Sequence, residues 1–420
     1  MGGLRFCFLT TFYPPYNFGG DGIAVQRLAR ALVRRGHHVT VVHDADAFRL
    51  LAGREPREPP ASDGVEVISL HSGWGALGTL LTQQTGRPIV NGHRIARILE
   101  EGAFDVIHFH NASLIGGPGL FRYGRSIKLY TAHEHWLVCP THILWRHNRE
   151  PCSARQCLRC QLVYRRPPQW WRWTGLLDRE LHHIDTFIAL SEFSRRKHYE
   201  FGFPRPMEVL PPFLPDDDSQ SATAAENPHP RPYFLFVGRL EKAKGLEDVI
   251  PVFGTRENAD LLVAGEGSFA QQLRRLAARN DRVVFLGHVA SDTLRRYYRH
   301  AIALVVPSSC FETFGLAIVE AFRDSCPVIA RRIGPFTELV ELSTGGELFS
   351  TPEELRAAIR RLSDDRDYRD RLGSAGRQAF SRHWSECAVL PRYLELVQQA
   401  AERRGQRQLL ERLDPSGGAA

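Results

Sequence analysis

The sequence predicts an α/β protein with two parallel-sheet domains, and three observations lead there. Short apolar runs of strand type alternate with helical patterns along the whole chain, the order of successive βαβ units. The 420 residues exceed what a single core usually serves, so two domains are expected. Between the halves, the stretch DDDSQSATAAENPHP after Pro215 holds no aliphatic residue larger than alanine and reads as a linker. Two Rossmann-like domains joined by that linker is the resulting architecture.

The first half opens on a strand at Arg5–Thr10. Arg5 at its front, the lack of a small-residue cleavage pattern and the following Pro14-Pro15 argue against a signal peptide. The next helix carries its stripe at Ala24, Leu28, Ala31 and Leu32 and stops at Arg34-Arg35-Gly36, basic residues and then a glycine. Further strands are expected at Val39–His43, Val65–Ser69, Val106–His110, Ile127–Thr131 and Thr186–Ala189. The second half repeats the alternation near Tyr233–Val237, Leu261–Ala264, Val283–Leu286, Ile302–Val306 and Val328–Ala330. The expected domains are therefore residues 1–215, a linker at 216–230, and residues 231–383. Residues 384–420 form a C-terminal helix that can pack back on the first domain, with a disordered tail.

Composition is that of an ordinary globular protein, 43% hydrophobic and 24% charged. No apolar run approaches the roughly 18 residues a spanning helix needs. The expected location is cytoplasmic, where thiols stay reduced. A net charge of +7 fits anionic ligands such as phosphates, acidic lipid or nucleic acid, and equally a solvated basic surface.

Two glycine loops could hold phosphate. The first, YPPYNFGGDGIAV, runs into a helix, where backbone N–H groups bind anions. Gly20, Gly22 and Val25, with Asp44 ending the next strand, mimic a dinucleotide fingerprint. The branched third residue and the long approach from the strand count against it. The second loop sets Gly238-Arg239 directly after a strand and Lys244-Gly245 at an expected helix start. Arg239 and Lys244 could clamp a diphosphate, one by forked hydrogen bonds and one as a point charge. Both could also be ordinary solvated cations.

The stretch VVPSSCFETFGLAIVEAF carries two glutamates, Glu312 and Glu320. If both were helical they would stand about 12 Å apart along the axis, too far for the close carboxylate pair of a retaining glycosidase. Two acceptor groups holding different hydroxyls of one extended ligand suit them better. Thr313, Phe314, Gly315 and Leu316 between them offer N–H groups to a phosphate. Glu320, a charge inside an apolar helix, needs a partner.

Cys139, Cys152, Cys157 and Cys160 lie within 22 residues. Their spacing is compatible with a closed structural zinc site, more poorly with an iron–sulfur cluster, and also with unligated thiols. His135, His142 and His147 could replace one ligand. A catalytic role is not expected, since four thiolates leave no open position. Next in the chain, Trp170, Trp171 and Trp173 interleave with Arg165, Arg166 and Arg172, which suits an acidic membrane surface or acceptor docking, or a plain core.

The frame PSSCFETFGLAIVEA, with Glu312 and Glu320 at its signature positions, resembles glycosyltransferase family 4. The resemblance covers nearly the whole chain. Gly19-Gly20, TAH at Thr131–His133, ALSEFS at 189–194, VGRLEKAKG at 237–245, VAGEG at 263–267 and FLGHV at 285–289 follow in the family's order. Pro211-Pro212-Phe213 and Gly334-Pro335-Phe336-Thr337-Glu338 depart from its usual turns. The resemblance implies a GT-B fold, two Rossmann-like domains facing a central cleft, and a retaining enzyme with a nucleotide-sugar donor. Arg239 and Lys244 would neutralise the leaving diphosphate, Glu320 would bind ribose, and Glu312 the donor sugar. Gly19, Gly20, Gly238, Gly287, Val289 and the Thr313–Leu316 turn would complete the donor site, and His133 would sit near sugar and acceptor. No catalytic metal is implied, and Asp216-Asp217-Asp218 reads as solvated linker charge. The expected acceptor is a hydroxyl of a glycan, lipid-linked or small molecule of identity the sequence does not give; the Trp/Arg run adds an expected peripheral contact with the inner face of an acidic membrane, and no nucleic acid is expected. Three rivals are carried: an epimerase of sugar nucleotides on the same fold, an NAD-dependent oxidoreductase, and a zinc-finger nucleic-acid module.

Overall fold

The computed structural model describes residues 3–56, 63–215, 226–254 and 259–413. The expected linker acids Asp216–Asp218 and the last seven residues lie outside them.

The first domain holds β1 (Arg5–Thr10), β2 (His38–Asp44), β3 (Glu66–Leu70), β4 (Val106–Phe109) and β5 (Ile127–Ala132). After a small hairpin of β6 (Trp145–Arg146) and β7 (Glu150–Pro151) come β8 (Thr186–Ala189) and β9 (Met207–Val209). The second domain holds β10 (Tyr233–Val237), β11 (Asp260–Ala264), β12 (Val283–Gly287), β13 (Leu304–Val306), β14 (Val328–Arg331) and β15 (Gly346–Phe349). The first sheet runs β3-β2-β1-β4-β5-β8-β9 and the second β12-β11-β10-β13-β14-β15, both parallel.

Each sheet is covered on both faces, and the period-2 pattern of its first strand shows it. In β1, Cys7 and Leu9 join one core while Phe6 and Phe8 join the other. In β10, Phe234 and Phe236 take one face and Tyr233 and Leu235 the opposite one. In both sheets the strand order reverses beside the first strand, at β1/β4 and at β10/β13. Ligands of such sheets bind at the carboxyl ends of the strands at this reversal.

The chain crosses between domains twice at one place. Leu214 N donates to the Trp384 carbonyl at 3.0 Å, pairing the outgoing segment with the returning one. Beyond it the helix Glu386–Arg403 returns to the first domain, burying Val389, Leu390, Tyr393 and Val397 against Phe6, Phe8 and Ala29.

Two local expectations change. No α-helix starts at Lys244-Gly245. Three 3-10 turns, Lys242–Lys244, Leu246–Asp248 and Ile250–Val252, take its place. Gly245 at φ +69° and Pro251, which lacks an N–H, prevent a continuous ladder. Glu312 is not helical either, because the helix begins only at Leu316, so the 12 Å spacing does not apply.

Candidate active site

The loops at the two strand reversals face each other. From the first sheet come Gly19-Gly20 after β1, His110 after β4, His133 after β5 and Ser191 after β8. From the second come Gly238-Arg239 after β10 and the Pro307–Leu316 segment after β13. The approach is close: a Cβ added at Gly20 would stand 3.1 Å from Leu316 Cδ2. Thr313 Oγ1 donates to the His133 carbonyl at 2.7 Å, and Ser191 Oγ donates to the Thr313 carbonyl at 2.7 Å. Glu338 of the second domain accepts from the N–H groups of Glu192 and Phe193, at 3.1 and 3.0 Å, and so caps a helix of the first.

Lys244 and Glu312 meet although 68 residues separate them. Their loops are joined by the backbone: Ser309 N donates to the Ala243 carbonyl at 2.8 Å. A side chain at Gly245 would strike the Pro307 carbonyl at 2.2 Å. Lys244 Nζ donates to Glu312 Oε1, which also accepts from Ser308 Oγ at 3.0 Å. Burial opposes both charges, but each partner outweighs it. Lys244 is held above the ordinary lysine range and Glu312 below the ordinary glutamate range, so both are charged at neutral pH. Arg239 is exposed, with Nη1 2.9 Å from Glu241 Oε1.

Glu320 has the partner its position required, and it comes from the other domain. Arg27 Nη2 donates to Oε1 at 3.3 Å, and Tyr298 OH donates to Oε2 at 3.2 Å. Sequence reasoning missed both residues. Arg27 Nη1 is buried and meets no acceptor among the described residues. Gly287, at φ +71°, ends β12, and its carbonyl accepts from Gly265 N at 2.7 Å. Val289 follows in the same turn. Phe314 is buried, and Gly315 caps the helix Leu316–Arg323.

His133 belongs to a buried file of imidazoles. His110 Nδ1 lies 3.0 Å from His133 Nε2, and the His110 ring packs 3.9 Å from that of His108. His108 in turn bonds Thr131 Oγ1 at 2.8 Å and Tyr393 OH at 3.1 Å. Burial lowers the pKa of all three, for His133 against the pull of Asp21 and Glu134, so the rings are neutral at pH 7. His110 Nε2 is buried with no partner among the described residues. A buried unpaired N–H is the rarer defect, so we assign the His110 proton to Nδ1, donating to His133 Nε2. His133 then carries its own proton on Nδ1.

The rival fingerprint residues have other work. Asp44 is buried and caps the helix Ala45–Ala52 through Ala47 N at 3.0 Å, and Val25 lies in the core. Asp44 is therefore not displayed for a ribose.

The cysteine segment folds as a turn at His135–Leu137, the β6/β7 hairpin and the helix Cys157–Val163. His147 N donates to Cys160 Sγ at 3.4 Å, and Cys139 Sγ lies 3.3 Å from Thr141 Oγ1. Burial first, then the nearby thiols of Cys139, Cys157 and Cys160, push Cys152 up to about 11. None of the four cysteines is in a disulfide. Among the described residues no three His, Cys, Asp or Glu side chains stand close enough to hold a metal ion. The hairpin reaches across the cleft instead: Trp145 packs on Ala243 and Cys310, next to Lys244 and Glu312.

Two Rossmann-like domains facing across a cleft, with strand-end loops from both converging in it, define the GT-B class of glycosyltransferases. Residues 18–218 match the model described as Glycosyltransferase Family 4, and residues 218–379 that described as Glycosyl transferases group 1. The chain belongs to glycosyltransferase family 4. A glycogen synthase of Mycobacterium tuberculosis is 27% identical, with 98% of each chain covered. A 42.6 kDa protein of unassigned function from the cps region of Klebsiella pneumoniae is 24% identical over 79% of this chain and 86% of its own. Among solved structures, sucrose-phosphate synthase of Thermosynechococcus elongatus superposes with a TM-score of 0.72 at 21% identity, covering 94% of this chain and 98% of that one. Anabaena HepE, in complex with UDP and glucose, gives 0.66 at 20% identity, covering 96% and 99%. Among the described residues no helix is long and apolar enough to cross a membrane.

Proposed function

We propose that this glycosyltransferase moves a sugar, with retention, from a nucleotide-diphosphate sugar to a hydroxyl acceptor. The observation that carries the reading is the Lys244–Glu312 pair at the mouth of the second sheet's reversal. An ammonium has three donors, and Glu312 takes one, which leaves two for diphosphate oxygens. Arg239 need only leave an exposed ion pair, worth about 0–1 kcal/mol, to join it. As the glycosidic C–O bond breaks, charge grows on the departing phosphate and both cations stabilise it. That phosphate takes the acceptor's proton while the acceptor oxygen bonds to the same face of the sugar, so no covalent nucleophile is needed.

The remaining roles follow the same polarity. Glu312 holds donor-sugar hydroxyls, and Glu320, with Arg27 and Tyr298 beside it, holds the ribose. Gly287 and Val289 meet the base through backbone. The N–H groups of Thr313–Leu316 meet phosphate, and Gly19-Gly20 closes over it from the other side. His133, neutral, donates to a sugar or acceptor oxygen. Lys244 and Arg239 take the place of a catalytic divalent metal. The cysteine insertion acts as a structural clip on the cleft, and zinc is the metal its thiols would take on closing up.

A panel of UDP-, GDP-, dTDP- and ADP-sugars, scored by thermal shift and by slow donor hydrolysis, tests the reading, with uridine first because HepE binds UDP. One nucleotide sugar should raise Tm and release its sugar with the anomeric configuration kept. Conversion of the donor to its epimer, or saturable binding of NAD alone, contradicts it.

A further inference from the structure

The first domain carries an apolar face that sugar transfer does not use. On the helix Gly75–Thr85 and its leading residue, Trp74, Leu77 and Leu80 stand out along one stripe, while Gly78, Thr79 and Thr82 face inward. The stripe runs toward Trp170 and Trp173, whose rings lie 5.6 Å apart and are 59% and 57% exposed. The helix Cys157–Val163 adds exposed Leu158, Leu162 and Val163. Hydrogen bonds make these three segments one surface. The Pro167 carbonyl accepts from Gln83 Nε2 at 3.0 Å and from Gln161 Nε2 at 3.4 Å, and Trp171 Nε1 donates to the Gln83 carbonyl at 3.1 Å.

The charge on this face is mainly positive, with exposed Asp178 beside Arg179. Between Glu66 and Glu100 the chain has three arginines and no acid, and between Glu150 and Asp178 five arginines and no acid. A cleft of about 350 Å³ opens between the two stretches, with Arg87 and Arg179 beside Trp170. A second copy laid on the face would set arginine against arginine. An acidic bilayer neutralises the arginines and takes indole rings at headgroup level.

We propose that this face docks on an anionic bilayer and thereby presents a lipid-anchored hydroxyl acceptor to the cleft. Face and cleft share one segment: Arg172, between the exposed tryptophans, donates to the carbonyl of Trp136 at 2.6 Å, three residues past His133. The acceptor half of the proposal rests on the transferase reading, whereas docking does not.

Flotation of the full chain with vesicles separates the two. The chain should rise with phosphatidylcholine vesicles containing phosphatidylglycerol, stay down with phosphatidylcholine alone, and release as salt increases. Trp170→Ala with Trp173→Ala, and Arg159→Glu with Arg165→Glu, should each cut the bound fraction at least about tenfold. Trp74→Ser with Leu77→Ser, on the other segment, should do the same. Donor hydrolysis, read on the same samples, should be unchanged in all three. Three results overturn docking: no rise with acidic vesicles, equal rise with neutral ones, or dimerisation by light scattering that the tryptophan changes abolish. Loss of docking with hydrolysis intact leaves the transferase reading standing.

Discussion

The hydrogen bond between His110 and His133 has a direction, and that direction decides which nitrogen of His133 can reach a ligand. With His110 as donor, His133 is fixed with its proton on Nδ1. Removing the donor lets His133 sample the other tautomer, so His110→Phe should lower kcat about tenfold while the donor KM stays within twofold. His110→Asn keeps an N–H and should recover most of the loss. Steady-state kinetics of the two variants check this, and a His110→Phe enzyme within twofold of the parent contradicts it. The sequence marked His133 only through its resemblance to a family. It did not mark His110, because a histidine at the end of an apolar run gives no sign of what stacks on it. Glu320 was legible as a charge in need of a partner, but Arg27 lies 293 residues away and only the closed cleft joins them.

The cysteine insertion is the element whose sequence says most and whose chemistry is least complete. The four thiols share one segment, but among the described residues no three gather closely enough to hold a metal ion, and the most definite contact is Trp145 on Ala243 and Cys310, across the cleft. Clamping that hairpin fixes one wall of the donor loop. A metal would do it only if the thiols closed up beyond the described arrangement, and elemental analysis of purified chain tests this, about one zinc per chain being the result that would show it. Below about 0.2 per chain, the metal is removed from the account and the hairpin stands on its apolar contact alone. Other elements were read unevenly. The eleven expected runs all form strands; the two-residue hairpin strands β6 and β7 were not expected, and in the two large sheets β9 and β15 were missed. Both are edge strands of three and four residues, and β15 opens on Gly346-Glu347, too short and polar for a period-2 signal. The turn at Lys244 was read as a helix because cation spacing alone does not show that Gly245 takes a left-handed conformation.

At the scale of the molecule, two sheets reverse their strand order at the same relative place and set those reversals against each other. Alternation and length made the two domains legible, since they depend on pattern rather than on contacts. The closure did not show in the sequence, because it is made by single side chains of distant segments: Ser191 to Thr313, Glu338 to the helix at Glu192, and Arg27 to Glu320. Closure brings the N–H-rich turn Thr313–Leu316, the Lys244–Glu312 pair and His133 to one cleft, where a diphosphate can be neutralised as it leaves. The most direct measurement is therefore the rate of sugar transfer by Lys244→Ala with the donor the panel identifies. Loss of a charged donor aimed at the leaving group should lower kcat/KM by about 10²-fold or more with the fold intact by circular dichroism. A loss below about threefold, less than 1 kcal/mol of barrier, would contradict the clamp and the mechanism built on it.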